Sequence, residues 1–367
     1  MKIRCFLVFV ALSFLAVPAG AGDNVLPYKL KSGKPYSGTT LNILAVVTPQ
    51  FKSYDLRDEE FESLTGINVN WTHIPFVALQ EKIASVGVAA DGSFDVVNYL
   101  DSWGPANAYW LEPIDAWLKR DGISMDRYPE AFKKSAMFKG ETLGFPLRAH
   151  PMLMFYRKDL FAKHGLAAPK TWNEVVRAGK KIKQQEGIGG LACYFGADGN
   201  RQNLFIWLNY IWATGTDVFD KQMKPAWATP AGLKATRDYV DLHTKNNICG
   251  KGAVSNVEQD ARIQFAQGNA AMMPVWWWAY SGFYNPNQSK LTKDQVGFAG
   301  MPSYRGKTVT YAISMPYSIS KYSKNKEAAW EFMKWLSNPE LDRRNAIERS
   351  VRGEKIVNNV VTHKSSM

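Results

Sequence analysis

Between Leu41 and Leu100 short apolar runs alternate with helix-patterned stretches, and no other feature constrains the fold of this chain as strongly. Residues 41–47 (LNILAVV) form a compact apolar run that reads as a buried strand. Residues 51–64 read as a helix closed by Gly66, after which Ile67, Val69 and Trp71 alternate as a second strand. Residues 77–86 set Leu79, Ile83 and Val86 on one helical face, and residues 94–100 (FDVVNYL) read as a further buried strand. Strand, helix, strand, helix, strand predicts a parallel α/β sheet. Ahead of it, residues 23–40, rich in Gly, Pro, Lys and Ser, read as a flexible arm.

The later chain carries clear helix starts. Thr171 with Glu174 three residues on forms a capping box, and Thr229-Pro230 places an N-cap before an N1 proline. Residues 326–336 (KEAAWEFMKWL) are strongly amphipathic and stop at Asn338-Pro339. A chain of 367 residues with 46 % hydrophobic content is too long for one core and suits two domains. With no Gly/Ser-rich or Pro-rich linker between them, those domains are expected to share several crossing segments.

Lys2 and Arg4, the apolar run 5–17 and the small residues Ala19-Gly20-Ala21 predict a secretory signal peptide over 1–21. Cys5 lies at the start of the apolar run, away from the cleavage site, so lipid attachment is not expected and the mature chain is read as exported and soluble. The formal net charge of +12 is scattered among acids, with no Arg-rich stripe, and nucleic acid is a poor partner for it. Cys193 and Cys249 remain after processing; an oxidising compartment allows them to pair, and the sequence leaves open whether they do. HExxH and paired CxxC spacings are missing, so no metal or cofactor is expected.

Residues 268–282 (GNAAMMPVWWWAYSG) follow a helix that ends at Gly268 and read as a short buried strand over 270–275. Trp276, Trp277 and Trp278 stand at its far end with Tyr280 just beyond. Indole faces emerging from a strand end suit stacking on the C–H faces of a sugar ring, although buried aromatics most often only pack.

These segments together resemble family 1 extracellular solute-binding proteins of ABC importers, the group that includes the maltose-binding protein. FESLTGINVNW is similar to the family's F-x-x-x-TGI-x-V segment, and FDVV follows it. LEPIDAWL, KGETLGFPLRAHPMLMFYRKDLFAKHGL and PKTWNE resemble its middle signature. FAQGNAAMMPVWWWAY, GFAGMP and the stretch from AISMPYSIS to KEAAWEFMKWLSNPE resemble its late one, so the likeness spans about 41–340. The resemblance implies a two-lobed, type II-like periplasmic-binding-protein fold of class α/β, with hinge-linked discontinuous lobes and a ligand cleft between them. The crossings are expected near 147–151 and 310–315. The first lobe is then 41–148 plus 290–312 and the second 149–289 plus 313–367. Family members usually carry further C-terminal helices, so the end at Met367 implies a shortened variant or a truncated sequence.

Ligand positions implied by the resemblance are Trp278, Trp277 and Tyr280, then Tyr99, Asp101 and Trp103 after FDVV. Arg148 and His150 stand at the first crossing, where the maltose-binding protein has a carboxylate, and Asn200 lies in a polar loop of the second lobe. The implied function is a periplasmic receptor, expected to be a monomer, that closes on a carbohydrate or polyol and delivers it to the permease subunits of an ABC importer. Arg148 and His150 leave open an anionic sugar derivative such as a glycerophosphate or sulfosugar. A secreted glycan hydrolase is the rival class. It needs paired carboxylates, and Asp58, Glu59 and Glu60 on one helical turn read as solvated surface.

Overall fold

Two sheets, each with its own hydrophobic core, organise the computed structural model, which describes residues 27–48, 51–197, 202–356 and 360–366. The expected signal peptide lies outside the described residues. In chain order the strands used below are β1 (Thr40–Val46), β2 (Asn68–Ile74), β3 (Val96–Asn98), β4 (His150–Arg157), β5 (Met272–Trp276), β6 (Val296–Ala299), β7 (Ala312–Ile313) and β8 (Tyr317–Ile319). The longer helices that frame the two lobes include α1 (Asp58–Thr65), α2 (Phe76–Ala89), α3 (Trp172–Glu186), α4 (Leu204–Ala213), α5 (Pro230–Val240), α6 (Glu258–Ala266) and α7 (Lys326–Leu336).

The first sheet has the order β8-β3-β1-β2. β1 runs parallel to both neighbours, with Ile43 opposite Trp71 and Val96. Leu41, Ile43, Leu44, Val96 and Val97 are fully buried, as continuous apolar strands in a covered sheet should be. The expected helix over 51–64 is broken at Leu56–Arg57 into a short turn and α1, and the buried Arg57 guanidinium reaches Asn345 and Glu348 there. Gly66 ends α1 in the left-handed region (φ +72°), a conformation that favours glycine.

The second sheet has the order β5-β4-β6, and β7 pairs with the start of β4. Every partner of β4 is antiparallel to it. α3 starts on the predicted capping box, with Thr171 Oγ1 accepting from the Glu174 amide at 3.1 Å and Glu174 Oε2 accepting from the Thr171 amide at 3.2 Å. Cys193 and Cys249 are joined by a disulfide inside this lobe.

Two of the segments assigned to the lobes exchange places. Residues 290–312 belong with the second lobe, because β6 pairs along β4 and Val296, Met301 and Tyr304 sit in the second core. Residues 315–341 return to the first lobe: β8 pairs antiparallel with β3, and Trp330, Phe332 and Trp335 of α7 join Phe61 in the first core. An amphipathic stripe shows that a helix buries one face and does not show which core receives it. The arm is also corrected over its described part. Leu30 is fully buried, the Lys31 amide donates to Glu331 at 2.9 Å, and the Lys29 carbonyl accepts from Lys334, so this segment is pinned to α7.

Candidate ligand-binding cleft

The site begins at the two crossing segments. His150 and Pro151 pair with Ile313 and Ala312, and the Met315 amide donates to the Leu147 carbonyl at 2.9 Å. Between these bonds Arg148 takes φ +60°, the left-handed region, which is uncommon for a residue with a side chain. Its guanidinium donates to Thr48 Oγ1 at 3.3 Å and lies 4.9 Å from the centre of the Phe51 ring. Such a backbone persists where its surroundings over-determine it, and here both strands of the hinge hold it. Burial lowers the Arg148 pKa to about 10, which still leaves it charged at neutral pH. His150 is held well below the ordinary histidine range by burial and then by the Arg148 charge, so it is neutral at pH 7. Its Nδ1 is buried without a hydrogen-bond partner among the described residues.

Above this floor the lobes enclose a cavity of about 580 Å³, within the range of small-molecule sites. β5 delivers Trp276 into the second-lobe wall, where it meets Phe205 at 5.3 Å, edge to face, and Tyr311 at 5.7 Å. Phe205 and Tyr311 stack on each other at 4.5 Å. Trp278 follows, in the 3-10 turn Trp277–Tyr284, with the Arg262 guanidinium 5.0 Å over its ring. Arg262 in turn is ion-paired at 2.7 Å with Glu258, which is 4 % exposed in the first turn of α6. From the first lobe come Trp103, stacked on Phe76 at 5.5 Å, and the more exposed Gln80 and Ser102.

Of the residues expected at the site, Trp278, Trp103, Arg148 and His150 line this cavity. Trp277 does not; it donates from Nε1 to the Ala149 carbonyl at 2.9 Å and stacks on His150, so it braces the hinge from behind. Tyr280 points away, packed on Phe155, Tyr284 and Phe298. Tyr99 is 1 % exposed in the first core, with its ring against Gly104, where a Cβ would come within 3.1 Å of it. Asp101 is half-buried behind the lining, its carboxylate accepting from the Ser314 amide at 3.0 Å and the Ser102 amide at 2.7 Å. Burial outweighs these two bonds and pushes its pKa up to about 6. Asn200 lies outside the described residues.

The model of the bacterial extracellular solute-binding proteins matches residues 46–342, most of the chain. The chain belongs to that family. Relatives of this kind include a probable amino-acid ABC transporter periplasmic-binding protein of Sinorhizobium fredii, 26 % identical over 85 % of this chain and 72 % of that one. The chain spans 64 % of the length of several other curated relatives. Among solved structures it is similar to maltose-bound MalE3 of T. maritima, with a TM-score of 0.72 and 26 % identity over 90 % of this chain and 83 % of that one. It is also similar to a solute-binding protein of Agrobacterium vitis with bound D-mannitol, with a TM-score of 0.67 and 26 % identity over 90 % and 79 %.

Several lining residues escaped the sequence reading of this family member: Phe205, Tyr311, Glu258 and Arg262, while Trp276 was singled out with its two neighbours but given no ligand position. Glu258 and Arg262 had a signal. They stand four apart on the helix that leads into the tryptophan run, so they share the face that leads toward Trp278. Phe205 and Tyr311 had none, because aromatic residues in a helix and a crossing segment read as core.

Proposed function

We propose that this family member is an exported receptor of an ABC importer that captures a neutral carbohydrate or polyol by closure of its two lobes. The observation that carries the reading is the cavity between the lobes, walled by Trp103, Trp276, Trp278, Phe205 and Tyr311 and floored by Arg148 and His150. Flat apolar faces take the C–H side of a sugar while charged and amide groups take its hydroxyls. The relatives that carry maltose and D-mannitol support this ligand class. Closure is the motion of periplasmic binding proteins in general, and a ligand drives it only through contacts that are better in the closed state. The signal-like N-terminus supports export to the periplasm, and the permease is the partner that a loaded receptor requires.

A carrier role also accounts for the acids better than hydrolysis does. Glu60 pairs with Arg344, Glu59 with Arg352, and Asp58 accepts from Trp71, and none of the three lines the cavity. Among the described residues lining the cavity, Glu258 is the one carboxylate, whereas glycoside hydrolysis uses a pair. Arg148 and Arg262 beside that one carboxylate favour a second reading, a sugar derivative bearing an anionic group.

A thermal-shift screen separates these readings. Ligand at a hundred times its dissociation constant adds ~2.7 kcal/mol. A neutral sugar or polyol that raises the melting temperature supports the first reading, and a shift confined to glycerophosphates or sulfosugars supports the second. A shift confined to amino acids, in line with the name of the S. fredii relative, would overturn both.

A further inference from the structure

Resting on the reading of the cleft as a sugar or polyol site, we propose that Arg262 sets the length of ligand it accepts, to one sugar ring or a linear polyol of similar size. Beyond Trp278 lies a second cavity of about 730 Å³, lined in part by Ile263, Ser281, Phe283 and Gln288. Thr48, Arg148, Arg262 and Trp278 line both spaces, so the two cavities meet at this group of side chains. An indole offers two faces for stacking, and the Arg262 guanidinium already covers one of them at 5.0 Å. One face is left for a ligand ring.

A second ring joined to the first would have to pass the partition where Arg262 lies. That side chain is not a loose surface group. Its Nε is 2.7 Å from Glu258 Oε1, and the Glu258 side chain is buried, so displacement breaks an ion pair and a cation–π contact together. The guanidinium is paired at Nε with the carboxylate while its planar group lies over the indole, a combination that lysine's point charge would not reproduce. Glu258 acts here through Arg262, as a positioning residue, and Arg262 is the stop.

Calorimetric titration of the full chain tests this with D-mannitol and D-glucose as short probes and maltose and maltotriose as long ones. The wild type is expected to bind a short probe at least tenfold more tightly than either long one. Arg262→Ala is expected to narrow that ratio at least tenfold by gaining affinity for the long probes. Glu258→Gln, which keeps the side-chain shape but releases the guanidinium, should shift the ratio in the same direction by less and serves if Arg262→Ala does not fold. A wild type that binds maltose or maltotriose as tightly as any short probe overturns the inference and leaves the sugar reading intact. Folded variants that keep the wild-type ratio overturn it as well. A wild type that binds none of the four overturns the sugar reading, and the inference falls with it.

Discussion

Trp278 and Trp103 look into the same cavity from opposite lobes, yet they are held in different ways. Trp278 lies under an arginine that is itself fixed by a buried glutamate, and beside it Trp276, Phe205 and Tyr311 brace one another ring against ring. Trp103 stacks on Phe76 at the edge of the first core, in a short turn next to the exposed Ser102. A wall whose rings are already immobilised loses little side-chain entropy when a ligand arrives. On the proposed reading of the cleft, the second lobe presents a preformed stacking surface, and the first lobe supplies a lid whose contacts complete on closure. The same contrast holds behind the walls, where the second lobe is cross-linked and the first has Asp101 bound to the hinge.

The sharpest way to break this comparison is to remove the cross-link. Cys193 and Cys249 are 56 residues apart, and closing a loop of that length in the unfolded chain is worth about 4 kcal/mol. Cys193→Ser with Cys249→Ser should lower the stability of the second lobe by that order in urea unfolding and blunt ligand binding. The first lobe, followed by exchange protection of β1, should be little changed. Equal loss in both lobes would show that they unfold as one unit, and the contrast in rigidity would go.

Asp101 gives the next effect, on the hinge side of the first lobe. Its carboxyl carries a folded pKa raised from 3.8 to about 6. Below pH 4 both folded and unfolded chains hold the proton. Between about 4 and 6 the unfolded chain has lost it while the folded chain keeps it, so stability falls as pH rises through this window, by about 3 kcal/mol in all. Asp101→Asn keeps an acceptor for the Ser314 amide and should lack this fall. Melting curves of the two proteins from pH 4 to 7 that run parallel would remove the raised pKa.

The first α/β lobe was legible because its strands are short apolar runs separated by helix signals at regular spacing, and burial on both faces leaves such a run no other reading. The side of the cleft that residues 290–367 join was not legible. β6 and β8 are both short and apolar, and pairing is decided by which neighbour lies within hydrogen-bond reach. At the site, three consecutive tryptophans could not be told apart. The strand ends at Trp276 and the chain turns at once, so one indole packs into the aromatic wall, the next braces the hinge carbonyl of Ala149, and the third stands at the partition. Tyr99 and Asp101 failed for a related reason. β3 is only three residues long, and the segment after it keeps bonding to 314–316, which turns Tyr99 into the core and ties Asp101 to the Ser314 amide.

The smallest effects test the two walls against each other directly. Trp278→Ala removes a fixed stacking face and should weaken ligand binding by ~2 kcal/mol, the range of an aromatic anchor, with the fold intact because Trp278 is only half-buried. Trp103→Ala removes a ring that has to be ordered on closure, so part of what is lost in contact is returned in entropy, and about 1 kcal/mol is expected. The distinction is sharper in rates than in equilibrium. Loss of the preformed face should slow capture and speed release, whereas loss of the lid ring should act on release alone, since the ligand docks before the lid closes over it. Stopped-flow tryptophan fluorescence with the ligand found by the thermal screen reads both constants. If Trp103→Ala slows association as much as Trp278→Ala does, the ligand meets both walls at once, and the division into a docking face and a lid is wrong.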